Sequence, residues 1–170
     1  MAFVAALVGV AAGLGNYGFR KAIEFFNWLV VKNGARLFDV PMPTELEMAA
    51  WSPERLSVVL FPMAGGVLML FFWIFFQQDM KYSFSRFLEA VNLKGAKIPG
   101  RIALTRGISS AITLGTGGSA GQEGPIAQIG GAIGSQFGQL FKMSGDRLKI
   151  LVACGASAAV AATFNAPIAG

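Results

Sequence analysis

The chain has 170 residues, 54% of them hydrophobic and only 14% charged, with a mean hydropathy of +0.58; a soluble domain averages about 25% charged, so this is a membrane-protein composition. The net charge of +5 comes from 14 basic residues that mostly flank apolar runs, which points to topology-setting loop charge rather than to nucleic acid. No histidine and a single cysteine, Cys154, are present, which excludes intramolecular disulfides, His-ligated metal sites and His-based catalysis.

The first element is apolar and uncharged from Ala2 to Gly18 and continues past Arg20 and Lys21 to Val31. It reads as one tilted helix of about 30 residues, longer than a bilayer core needs. Arg20 and Glu24 stand four apart, in reach of an ion pair. Val31 to Arg55 reads as a loop with Pro41, Pro43 and Pro53, ending in a helix start at Ser52-Pro53. Ser57 to Phe76 carries no charge and is the clearest spanning candidate, about 30 Å long as a helix. Pro62 and Gly65-Gly66 suggest a bend and close packing within it.

Gln77 to Arg101 is basic, with Lys81, Arg86, Lys94, Lys97 and Arg101, which assigns it to the cytoplasmic side. Phe84 to Val91 fits a short amphipathic helix inside it. Ile102 to Leu114 is an apolar helix interrupted by Arg106 and too short to span cleanly. Then comes GTGGSAGQEGP, Gly115 to Pro125, and Pro125 opens a helix to Phe141. That helix has two small-residue faces, Gly130/Gly134/Gly138 and Ala127/Gly131/Ser135, suited to close backbone packing in lipid. Ser144-Gly145-Asp146 separates it from an Ala-rich helix, Leu148 to Phe164, in which Cys154 reads as packing. Asn165-Ala166-Pro167 breaks the chain again.

The glycine-rich bend carries the chemistry. Glu123 is the only acid between Ala90 and Gly145. Irregular backbone at membrane depth is tolerated where it lines a cavity, and broken helices are a transporter device. A helix start directs free N–H groups and positive dipole at an anion, and glycine lets backbone approach one. Glu123 then either caps the helix from just outside its N-terminus or occupies the anion position and vacates it on swinging out or taking a proton. Two soluble motifs fail. Gly115 to Ala120 fits a dinucleotide fingerprint but follows no strand and precedes no ribose-binding acid, and no Gly-Lys-Ser/Thr follows Gly121. A membrane-embedded enzyme has little support, with no histidine and no convergent set of acids, and a hydrolase built on Glu123 alone would lack a nucleophile partner.

These residues support a resemblance. GSAGQEGPIAQIGGAIGSQFGQ resembles the Gly-x-Glu-Gly-Pro segment of the CLC chloride channel and chloride/proton exchanger family, and AAVAATFNAPIAG resembles a later segment of it. The resemblance is strong from Arg101 to Gly170 and looser before. It implies an all-α integral membrane protein, residues 1–170 forming one membrane-domain piece with tilted and broken helices, an incomplete first half of an inverted repeat that does not form a pore alone. It implies a multi-pass protein of the cell membrane that is a homodimer when complete, is not an enzyme, and has chloride, and in exchangers protons, as its transported partners with no further cofactor. Glu123 takes the place of the gate and proton carrier, with the N–H groups of Gln122, Glu123 and Gly124 contacting the outer anion. Two departures stand out. Gln122 replaces a usual Arg or Lys. Lys81–Ser85 reads Lys-Tyr-Ser-Phe-Ser where the family has a Gly-Ser-Gly-Ile-Pro-type loop, so Tyr82, or Ser83 by a one-residue shift, takes the place of an anion-contacting serine. A degenerate, non-transporting scaffold of the same fold is the alternative.

Overall fold

The computed structural model describes residues 2–37, 59–80, 83–143 and 145–166. All regular elements among them are helical. They are α1 (Ala2–Phe26), a π segment (Asn27–Lys32), α2 (Asn33–Leu37), α3 (Leu60–Phe75), α4 (Gln77–Met80), α5 (Phe84–Asn92), α6 (Gly100–Gly115), α7 (Glu123–Leu140) and α8 (Asp146–Phe164).

The first expected helix is real and longer than expected. α1, the π segment and α2 run on without a break, so Val31–Leu37, expected as loop, is helical. Ser52, Pro53 and the other expected loop features between lie outside the described residues. The expected Arg20–Glu24 pair is replaced by Lys21–Glu24 at 2.6 Å, one turn position closer and on the exposed side. Among the described residues two helices are long and apolar enough to cross a membrane, Ala2–Arg36 and Asp146–Phe164. α3, expected as the clearest span, is shorter at 16 residues among the described ones. Pro62 is its third residue, a first-turn position where no intrahelical N–H is lost, so no bend is required there. Met63, Val67, Leu70, Phe71 and Ile74 of α3 are each more than 60% exposed, an apolar surface that matches lipid.

The core forms around α7. Gly130 and Gly134 lie directly against the backbone of Gly155 and Leu151 on α8, with no room for a Cβ on either. The adjacent face does different work. Gly131 meets the Phe87 ring of α5, where a Cβ would stand 2.7 Å from Cζ. Ser135, fully buried, accepts from Ile98 N–H at 2.9 Å and donates to the Ala96 carbonyl at 2.7 Å. Gln136 adds a bond to the Ile98 carbonyl at 2.7 Å. These bonds hold the turn between α5 and α6, in which Ala96 sits at φ +59, a conformation that costs a side-chain-bearing residue roughly 1 kcal/mol or more. One apolar cluster joins Phe87, Ile98, Ala132, Leu148 and Val152; a second joins Ala12 and Phe19 of α1 to Ala111, Ile126 and Ala159.

Candidate functional site: the bend between α6 and α7

α6 ends in a fully bonded stop. Gly117 takes φ +86 and its N–H bonds the Leu114 carbonyl at 3.2 Å, while Gly118 N–H reaches back to Thr113 at 2.8 Å. That pair of bonds is a Schellman motif, which needs a left-handed residue at Gly117. Thr116, 1% exposed, donates its hydroxyl to the Ile112 carbonyl at 2.8 Å and fills the space left by Gly65 of α3. Gly115 comes so close to α1 that a Cβ would stand 2.8 Å from the Ile23 carbonyl oxygen. Asn27, first residue of the π segment, donates to the Gly115 carbonyl at 3.2 Å. The end of α6 is thereby fixed on three sides.

α7 begins two residues earlier than expected. Gln122 is its N-cap without a side-chain cap bond, Glu123 its first residue and Pro125 its third. The first helical bond runs from Ile126 N–H to the Gln122 carbonyl at 3.1 Å. Helix geometry leaves the N–H groups of Gln122, Glu123 and Gly124 without intrahelical acceptors, and Pro125 has none to waste. Glu123 therefore lies inside the first turn rather than ahead of it, and it makes no capping bond among the described residues. Its side chain is exposed, and its carboxylate leans back over Gly121, where a Cβ would collide with Oε2. Ser119, Ala120 and Gly121 are also exposed, so in this chain the bend is open to its surroundings.

Of the other expected anion contacts, Ser83 is exposed and N-caps α5, its Oγ accepting from Arg86 N–H at 3.4 Å; its hydroxyl proton stays available to donate. Tyr82 lies outside the described residues. Ser144 does too, and the N-cap of α8 is Gly145. Arg106 is half-buried on α6 with no ion-pair partner among the described residues.

One polar group escaped the sequence reading. Asp79 of α4 is buried, its oxygens receiving Arg101 Nε at 2.9 Å and Nη2 at 3.2 Å, with Thr105 Oγ1 at 3.4 Å. A lone acid at the end of an apolar helix, followed by a basic stretch, was the available signal. Among the described residues no cluster of three His, Cys, Asp or Glu could hold a metal.

Residues 65–170, which include the bend and both flanking helices, match the sequence model of the voltage-gated chloride channel family. The chain belongs to that family. It is 30% identical over 178 residues to a ClcB-like chloride channel protein of Ralstonia nicotianae, covering 100% of this chain and 39% of that one. It is also 30% identical to the voltage-gated ClC-type chloride channel ClcB of Escherichia coli, covering 98% and 38%. Its fold is similar to the crystal structure of a slow cyanobacterial chloride/proton antiporter, with a TM-score of 0.65, 26% identity and coverage of 98% and 37%. This voltage-gated chloride channel family member therefore spans about two fifths of the length of those relatives.

Proposed function

We propose that this chain supplies the first anion-binding helix start of a chloride transport protein, with Glu123 as its gate. The observation that carries this reading is the start of α7: three N–H groups without acceptors, a glycine bend that bares them, and one carboxylate on the first residue. A carboxylate and a chloride ion compete for the same donors, so Glu123 turned inward excludes the anion and Glu123 turned outward, or protonated, admits it. The Gln122, Glu123 and Gly124 amides bind the anion nearest the gate, and the segment holding Tyr82 and Ser83 contributes hydroxyl donors on the inner side. The working protein is a multi-pass homodimer of the cell membrane that moves chloride, and in the exchanging mode protons, needs no cofactor and performs no enzymatic reaction.

The test is Glu123→Ala and Glu123→Gln in the full-length protein, reconstituted in liposomes. Both variants are expected to pass chloride without gating, and Glu123→Ala to carry no coupled protons. Wild-type gating and coupling after either change would reject the role. Lack of chloride uptake by the wild type at any pH would support a non-transporting scaffold.

A further inference from the structure

Gln128 sits in the second turn of α7 and is only 6% exposed. Its Oε1 is sealed from solvent and has no hydrogen-bond partner, the only buried side-chain oxygen or nitrogen so left among the described residues. The contrast with its neighbours is sharp. Ser135 has three partners, Asp79 an arginine and a threonine, and Thr116 a helix carbonyl. Buried polar atoms left alone are rare because each forfeits the water it had, and an occupied water or ion site is the usual resolution.

The register of α7 says where this oxygen lies. Gln128 is four residues past Gly124 and three before Gly131, so the three share a face. At Gly124 that face borders open space, with nothing within 4 Å of a Cβ position; at Gly131 it closes on Phe87. Phe87 lies one turn inside α5, its N–H bonded to the Ser83 carbonyl at 3.1 Å. Gln128 therefore lies on the α7 face that leads from the open first turn of α7 to Phe87, one turn inside the nine-residue α5. Both helix starts present N–H donors, so an acceptor oxygen there needs a guest that can donate to it and accept from them.

We propose that Gln128 anchors a resident water molecule between the N-terminal turns of α5 and α7. A water gives one hydrogen to Gln128 Oε1 and offers its lone pairs to the helix-start amides, which neither chloride nor a metal cation can do. On the path proposed above, this water is a fixed hydrating ligand for an anion as it passes from one helix start to the other. The flux consequence rests on that anion-path reading; the water itself does not.

The test separates the two. In the full-length protein, Gln128→Met keeps the length of the side chain and removes its polar atoms, while Gln128→Asn keeps a carboxamide and leaves room for a second water. If the water is present, Gln128→Met melts lower than wild type by ~3 °C or more and Gln128→Asn stays close to wild type. An unoccupied site gives the opposite sign, because replacing an unsatisfied amide with a thioether then raises the melting temperature, and that result overturns the proposal. A density map of the wild-type protein at water-resolving resolution checks it without any variant: no ordered density within hydrogen-bond reach of Oε1 also overturns it. Chloride flux in liposomes reads the second part, with Gln128→Met expected to slow turnover severalfold and Gln128→Asn to preserve it. A lowered melting temperature with unchanged flux would keep the water and reject its place on the path.

Discussion

The Ser135 hydroxyl accepts from one amide and donates to one carbonyl of the α5–α6 turn, partners 37 and 39 residues away. Sequence spacing put Ser135 on a small-residue face with Ala127 and Gly131, and small size does suit that position. Its hydrogen bonds were not legible, because they join it to a turn with no periodicity of its own. Ser135→Ala keeps the packing and strips the bonds, leaving Ile98 N–H and the Ala96 carbonyl buried. The expected loss is about 1–3 kcal/mol, with a lower melting temperature and faster amide exchange at Ile98. Unchanged exchange at Ile98 would show that the turn holds itself. The Gly130/Gly134 face differs in kind: there the sequence pattern named both the residues and the reason, since only glycine lets the α8 backbone approach.

At the scale of elements, the bend is legible in the sequence where local chemistry decides it and not where neighbouring helices do. Glycine, glutamate and proline in order specify a helix start, and α7 starts among them. Pro125 stands third in α7 rather than first, because proline fits anywhere in a first turn that lacks acceptors for its N–H. The clamp between α4 and α6 could not be read at all. Asp79 and Arg101 are 22 residues apart on different helices, and neither sits in a repeating pattern. The asymmetry of this pair makes a prediction. The Asp79 side chain is 10% exposed and that of Arg101 72%, so the carboxylate depends on the arginine more than the reverse. Arg101→Ala leaves a buried charge with only Thr105 beside it, whereas Asp79→Ala frees an arginine that water already solvates. In thermal melts, Arg101→Ala is expected to cost more than Asp79→Ala, and the double variant no more than Arg101→Ala alone. Additive losses would mean that the two residues stabilise the fold through separate contacts.

At the scale of the molecule, the contacts sort the helix ends into two levels. Gly100 lies against Gln136, Ser135 against the Ala96–Ile98 turn, and Asp79 against Arg101, which gathers the end of α3, the start of α6 and the end of α7 at one level. Gly115 lies against Ile23 and Asn27, and Thr116 against Gly65, which gathers the bend, the far part of the first helix and the start of α3 at the other. The first level carries Lys94, Lys97, Arg101, Lys142, Arg147 and Lys149; the second carries Arg20, Lys21, Lys32 and Arg36 among the described residues. The sequence alone showed only the Gln77–Arg101 half of that imbalance. Folding adds the α7–α8 turn to the same side, and the excess of Lys and Arg there predicts that side to be cytoplasmic. Single cysteines test it in a Cys154→Ser background of the full-length protein. Lys94→Cys and Lys142→Cys should both resist a membrane-impermeant thiol reagent in intact cells and both react once the cells are opened. Labelling of the two from opposite sides would break the hairpin of α6 and α7, and labelling of both in intact cells would invert the protein and put the Glu123 bend nearer the cytoplasm.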